Sequence, residues 1–311
     1  LTELRFAHLS DLHLPLADRP PRLRDLMSKR LFSYLSWKSK RRRIHRPEVL
    51  ARVMEDIRAQ DGGHLLVTGD LTNLALPDEF ERARDWLVGQ GDPGRVTVVP
   101  GNHDTLVKGD WRTGLARWSE WMGGPAAPED AFPFVKRVGE AALIGVSTAV
   151  PTAPFMATGR VGDRQLFRLA RHLATLGAEG AFRIVLLHHP IMDGAVSGRK
   201  ALEDRAALRQ VLAEYGAELV LHGHSHHASF EETPGPAGPI PVVGAPSASA
   251  APEASSEAAG WRTICLTPSN DAWEVAISTR SMGMDGAFSN RDDQVIRVRR
   301  PKAGVIPAPA F

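Results

Sequence analysis

A chain of 311 residues, 43% of them apolar, can bury one sizeable core or at most two modest ones, and it reads as an ordinary globular protein. Its formal charge of +2, from 38 basic and 36 acidic side chains, gives no overall reason to bind nucleic acid or membrane. A single cysteine, Cys265, excludes an intramolecular disulfide framework and suits a reducing compartment.

The first apolar run, "LRFAHL", reads as a strand and delivers Asp11 and His13 at its end. No charged n-region or apolar h-region precedes it, and no window approaches eighteen uninterrupted apolar residues, so a cytoplasmic protein without a membrane span is expected. Next comes a basic insertion, residues 19–46, with eleven Lys or Arg against one acid, Asp25. It carries +10 and leaves −8 for the rest of the chain. Leu23, Met27, Leu31, Tyr34 and Leu35 fall at helical spacing within it, with Leu26 and Phe32 beside them, which is a basic amphipathic pattern.

"PEVLARVMEDIRAQ" is an amphipathic helix with Val49, Val53 and Ile57 on one face beside Leu50 and Met54. "HLLVTG" then delivers Asp70, and "RVTVVP" delivers Asn102, His103 and Asp104. Residues 108–133 show no period and predict an irregular excursion with a short helix around Trp111 to Trp121. "AALIGVS" is a strand. "DRQLFRLARHLATLG" is a helix through Leu166, Leu169, Leu173 and Leu176, with Asp163 and Gly177 as its cap signals. "FRIVLLH" ends in His188 and His189, and "AELVLHG" is followed by His224 and His226. The Ala/Pro/Ser-rich region 233–260 holds one short strand, "IPVVGA", in otherwise loop sequence. "RTICLTP" and "WEVAISTR" suggest a closing hairpin, with Cys265 as a buried structural thiol, and the end reads as an extended tail. Strands alternating with helices argue an α/β or α+β layered fold: one domain over residues 1–290 and a tail over 291–311.

Five strand-like runs thus end in metal-competent side chains, where sheet-based α/β sites form. Any one alone is ordinary, since a strand-end Asp is commonly a turn residue and "HGHSHH" could be incidental. All five in order, mixing Asp, His and Asn, fit two divalent ions. The glycines beside them, Gly69, Gly101 and Gly223, let the backbone approach closely.

In order the motifs are "DLH", "GD" at Gly69 and Asp70, "GNHD" from Gly101 to Asp104, "HHP" from His188 to Pro190, and "GHSH" from Gly223 to His226. This succession resembles the calcineurin-like metallophosphoesterase superfamily over roughly residues 4 to 230. The resemblance implies two packed mixed β-sheets flanked by helices in a four-layer sandwich, here carrying the basic helical insertion. It implies one ion held by Asp11, His13, Asp70 and His226, and a second held by Asp70, Asn102, His188 and His224, with Asp70 bridging. Two such ions clamp a phosphoryl group and activate a water held between them. The resemblance also gives His103 the role of hydrogen-bond or proton donor to the departing oxygen, with Asp104 orienting its ring; the plainer alternative is a turn histidine. His222 and His227 match nothing in the pattern. Mn(II) is the expected metal, with Fe or Zn as alternatives.

These motifs specify phosphoester hydrolysis but not the ester, and the superfamily spans cyclic-nucleotide phosphodiesterases, glycerophosphodiesterases, phosphoprotein phosphatases, nucleases and UDP-2,3-diacylglucosamine pyrophosphatases. The insertion follows His13 directly and so belongs to the rim of the site. It reads either as contact with an anionic membrane and a lipid-linked substrate, or as a lid packed on the domain with solvated charges. Nucleic acid is the weakest reading of one short patch on an otherwise acidic chain. The leading expectation is cleavage of a phosphodiester or pyrophosphate bond in a nucleotide-linked lipid such as UDP-2,3-diacylglucosamine. A soluble cyclic-nucleotide or glycerol-type phosphodiesterase is the alternative, and a non-catalytic scaffold is remote because no motif is missing.

Overall fold

The computed structural model describes residues 3–255 and 257–301. Its strands in chain order are β1 (Leu4–Leu9), β2 (His64–Val67), β3 (Val96–Val98), β4 (Phe134–Val138), β5 (Ala141–Gly145) and β6 (Phe182–Leu186). They continue with β7 (Leu219–His222), β8 (Ser229–Thr233), β9 (Ile240–Gly244), β10 (Gly260–Pro268), β11 (Ala272–Met282) and β12 (Phe288–Arg299). One sheet has the order β12-β11-β10-β1-β2-β3 and the other β4-β5-β6-β7-β9-β8. Both are mixed: β1, β2 and β3 run parallel, as do β5, β6, β7 and β9, and antiparallel strands complete each sheet.

Side chains alternate across each strand, and here both faces are covered. In the second sheet Leu143, Ile184, Leu186 and Leu221 enter the larger core, which also takes Phe6, Ile264 and Trp273 from the first sheet. Phe182 meets Trp273 edge-on at 5.3 Å across the gap. The neighbours Ile144, Val185 and Val220 point the other way, beneath α6 (Asp163–Ala178) and α7 (Arg205–Tyr215). The helices α4 (Pro47–Ala59) and α5 (Pro77–Gln90) add Val53, Ile57 and Leu87 to the larger core. Each such side chain contributes roughly 1.5–3 kcal/mol by leaving water. The expected two mixed sheets flanked by helices are what forms.

Local expectations held in part. The excursion contains a 3-10 helix at Leu115–Met122, anchored by buried Trp118, whose indole N–H donates to the Phe80 carbonyl at 3.1 Å. Gly162, not Asp163, holds the N-cap position of α6, and the Asp204 carboxylate accepts from the backbone N–H groups of Val161 and Gly162 instead. Cys265 is only partly buried. The hairpin β10–β11 forms, but the assigned tail begins inside a strand, since residues 291–299 belong to β12, an edge strand whose residues are all exposed or half-buried. Residues 302–311 of that tail lie outside the described residues. The insertion is broken rather than continuous: α1 (Leu23–Leu26), α2 (Lys29–Ser36), a π-helical turn at Trp37–Arg41, and α3 (Arg42–Ile44).

Candidate metal centre

The C-terminal ends of β1, β2, β3, β6 and β7 meet at one edge of the sandwich, and all seven candidate ligands stand there. Backbone bonds hold the loops in register: Asp11 N–H donates to the Gly69 carbonyl at 3.0 Å and His13 N–H to the Asp70 carbonyl at 2.9 Å. Five of the seven occupy the left-handed region, with φ of 55° at Asp11, 44° at His13, 55° at Asp70, 65° at His224 and 61° at His226. Such conformations cost of order 1–3 kcal/mol each and persist only where surrounding structure enforces them. Glycine is required beside them. A Cβ on Gly101 would lie 2.2 Å from Asp70 Oδ1, and one on Gly223 would lie 1.8 Å from Ser10 Oγ.

The nitrogens and oxygens that converge form two overlapping groups. His226 Nε2 is 3.1 Å from Asp11 Oδ1, and His13 Nε2 is 3.9 Å from Asp70 Oδ2. His188 Nε2 lies 3.4 Å from the same Asp70 Oδ2, 3.2 Å from Asn102 Oδ1 and 3.2 Å from His224 Nδ1. Ligand atoms of Asp11, His13 and His226 lie within 4.8 Å of one another, as do those of Asp11, Asp70 and His188. Asp70 therefore faces both groups. Asp11 Oδ1 is buried with His226 Nε2 as its near polar neighbour among the described residues, and a buried carboxylate oxygen so placed is well completed by a cation. The residues present fit a pair of divalent ions.

The second ring nitrogen of each histidine fixes which one faces inward. His188 Nδ1 donates to the Thr68 carbonyl at 2.7 Å, which leaves Nε2 for the cluster. His224 Nε2 is 2.9 Å from the Lys200 carbonyl, so its Nδ1 faces the cluster. His189 is turned away: Nδ1 meets Thr148 Oγ1 at 2.7 Å and Nε2 meets the Ala157 carbonyl at 3.2 Å. His222 is buried with Nδ1 3.1 Å from the Gly223 carbonyl, and His227 pairs with Glu257 at the surface.

Charge follows the same plan. Burial works against ionising Asp11, but His226, His188 and His13 outweigh it and hold its pKa well below the usual carboxylate value. Burial also opposes charge on His188, and Asp70 then Asp11 overcome it, pushing His188 up to about 9. Asp70 is likewise held low, so both carboxylates stay ionised, which suits a bound cation.

A model of the calcineurin-like phosphoesterase family matches residues 4–228, most of the chain and every motif named above. The chain belongs to that family. This calcineurin-like phosphoesterase is a metal-dependent phosphoester hydrolase, and its relatives agree with that class. A protein of Synechococcus sp. described as a "probable cyclic nucleotide phosphodiesterase" is 27% identical over 230 residues, 73% of this chain and 80% of that one. A dimetal phosphatase from Danio rerio superposes with a TM-score of 0.63 at 13% identity, covering 95% of this chain and 99% of that one. A purple acid phosphatase from yellow lupin seeds gives 0.56 at 15% identity, covering 95% of this chain and 54% of that one. At such identities the two structures speak for the fold alone.

Two expectations about the phosphoesterase site change. Asp104 does not reach the His103 ring; its carboxylate accepts from the backbone N–H groups of Asp70, Thr72 and Gly101 at 2.8–2.9 Å and so clamps the metal loops. The Asn73 carbonyl, 2.9 Å from His103 Nδ1, orients the ring instead. The other change is Arg41, brought in by the insertion, whose Nη1 lies 2.9 Å from His103 Nε2 and whose Nη2 donates to the Ser33 carbonyl at 3.1 Å. Behind the cluster, His45 packs against His13 with the rings tilted and 4.2 Å between centroids, and it bonds Ser249 Oγ at 2.9 Å. Ser247 and Ser249 hydroxyls both donate to the Asp11 carbonyl, which gives the Ala/Ser-rich loop a place in the site. No spacing in the sequence singled out Arg41, His45, Ser247 or Ser249.

Proposed function

We propose that the protein hydrolyses a phosphodiester or pyrophosphate bond with two divalent ions, Mn(II) foremost. One would be held by Asp11, His13, Asp70 and His226 and the other by Asp70, Asn102, His188 and His224. The convergence of His13, His188 and His226 on Asp70 and Asp11, with Asn102 and His224 joined to His188, carries this reading. Such ions supply Lewis-acid charge to a phosphoryl group and lower the pKa of water. The rest of the chemistry falls to the chain. His103 Nδ1 lies 2.9 Å from the Asn73 carbonyl, and Arg41 Nη1 lies beside the ring, 3.0 Å from Nδ1 and 2.9 Å from Nε2. Burial and then Arg41 push the His103 pKa down to about 4, so the ring is neutral at pH 7. Arg41 therefore meets the charge on the departing oxygen, and His103 fixes where its guanidinium sits.

Beside His103 opens a pocket of about 480 Å³, in which Lys29, Arg41, Arg199 and Lys200 face Phe32, Phe155 and Met156. Cations for phosphate set against an apolar wall suit an amphiphilic ester, a nucleotide-linked lipid such as UDP-2,3-diacylglucosamine. The Synechococcus relative favours a second reading, a soluble cyclic-nucleotide or glycerol-type phosphodiesterase. Turnover of cyclic AMP, glycerophosphodiesters and UDP-2,3-diacylglucosamine with Mn(II) separates the two. The lipid-linked compound is expected to show the highest kcat/KM, and a preference for cyclic AMP would replace it. Asp70→Ala is expected to lower kcat/KM on every substrate by more than the roughly hundredfold of an outer-sphere change, together with bound metal. Full activity in that variant would sink the dimetal assignment.

A further inference from the structure

An amphipathic helix on a globular domain normally turns its apolar stripe inward. The insertion does the reverse. Lys29 donates to Thr152 Oγ1 and the Met156 carbonyl, both at 2.6 Å, and Arg30 donates to the carbonyls of Leu74 and Ala75 at 2.8 and 2.7 Å. These cations bind the segment to the body. Leu26 enters the core and Tyr34 packs partly against it, but Leu23 and Met27 are each 84% exposed, and Leu31, Phe32 and Leu35 are exposed too. Phe155, 72% exposed on a neighbouring loop, packs on Phe32 at 5.0 Å between centroids. Six of the ten large exposed apolar side chains among the described residues therefore belong to this segment or touch it.

The flanking charge has one sign. Arg22 and Arg24 precede the apolar run and Lys38, Lys40, Arg42 and Arg43 follow it, all exposed, against the single half-buried Asp25. Phe32 and Phe155 also line the pocket beside His103, so the exposed apolar strip runs into the mouth of the site. A patch of leucine, methionine and phenylalanine bordered by cations is complementary to an anionic bilayer: apolar groups for the acyl boundary, cations for the headgroups. We infer that the outer face of the insertion docks on an anionic lipid surface and holds the pocket mouth against it. Only the position of the pocket is shared with the hydrolytic reading, and docking stands or falls without the identity of the ester.

The experiment is sedimentation of the full chain with vesicles of phosphatidylcholine alone or mixed with phosphatidylglycerol. Each cation near such a surface is worth about fivefold in partitioning, so binding to the anionic vesicles is expected to be at least about tenfold tighter and to weaken in 1 M salt. Two variants probe the two components: Met27→Glu with Leu31→Glu and Leu35→Glu, and Lys38→Glu with Lys40→Glu, Arg42→Glu and Arg43→Glu. Each is expected to lose vesicle binding at least tenfold while hydrolysing soluble bis-p-nitrophenyl phosphate normally, which shows that it is folded. Equal binding to both vesicle types, no binding, or loss only on charge reversal would overturn the proposal. So would a concentration-dependent dimer abolished by the first variant in a protein that ignores vesicles, because the face would then belong to a second copy. Absent vesicle binding with intact hydrolysis ends the docking proposal alone; vesicle binding with no hydrolysis of any ester ends the functional one.

Discussion

Arg41 is one of eleven cations in the insertion, and the only one of them whose guanidinium reaches His103 among the described bonds. Among the described residues its Nε is buried without a partner, while its two terminal nitrogens are engaged. If Arg41 rather than His103 meets the departing oxygen, Arg41→Ala should lower kcat by about 10²-fold, the usual consequence of removing one preorganised donor. Lysine should not rescue it, because a compact ammonium does not span both His103 and the Ser33 carbonyl. A second readout separates this role from simple packing. Burial first and then Arg41 lower the His103 pKa from 6.5 to about 4, so removal of Arg41 should raise the midpoint. Imidazole nitrogen shifts in metal-free protein would report it, and an unchanged midpoint with unchanged kcat would refute the assignment. The ligands were legible in the sequence because Asp, His and Asn at strand ends carry their chemistry in their identity. Arg41 was not, because eleven cations within residues 19–46 look alike until the π-helical turn at Trp37–Arg41 sets one of them beside His103.

The elements show the same division. Buried parallel strands announced themselves as apolar runs, and β1, β2, β3, β6 and β7 each lie within a run read from the sequence. The edge strands β8 and β12 gave little signal, because a strand with one solvated side and an unpaired edge needs few apolar residues. The insertion was visible as a helix, but its attachment was not. Its C-terminal end is stitched to the Ala/Ser-rich loop by His45 to Ser249 Oγ, Arg46 N–H to the Ser249 carbonyl and Ala251 N–H to the Ile44 carbonyl. Loss of the His45 contact leaves the buried Ser249 hydroxyl one partner short, a cost of about 1–3 kcal/mol borne locally. His45→Ala should therefore speed tryptic cleavage at Arg41 to Arg43 several-fold relative to cleavage elsewhere, and Ser249→Ala should do so to a smaller extent. Unchanged cleavage in both variants would mean that Lys29 and Arg30 alone fasten the segment.

Across the whole molecule, the sandwich buries histidines that take no part in the cluster, and these set its response to acid. His64 Nε2 bonds Thr97 Oγ1 at 2.8 Å, and His8 Nε2 bonds Thr68 Oγ1 at 2.9 Å. Among the described residues the buried Nδ1 of His8 meets no partner, so a proton added to that ring adds a charge without an acceptor. Burial, followed by Lys136, pushes His64 down to about 4, and burial, followed by His222, holds His8 well below 6.5. A depressed folded-state pKa means that the unfolded chain binds the proton first. The stability these residues contribute is complete above about pH 6.5 and is lost as pH falls towards 4. For His64 alone the shift amounts to roughly 3 kcal/mol at the acid end. His64→Gln keeps a donor for Thr97 and cannot titrate. Its urea midpoint is expected to lie at or below that of the wild type at pH 7.5 and to fall less by pH 4.5, with EDTA present so that metal release does not contribute. Parallel declines in the two proteins would place the acid sensitivity outside the sheet that carries His64, in the carboxylate and histidine cluster at its edge.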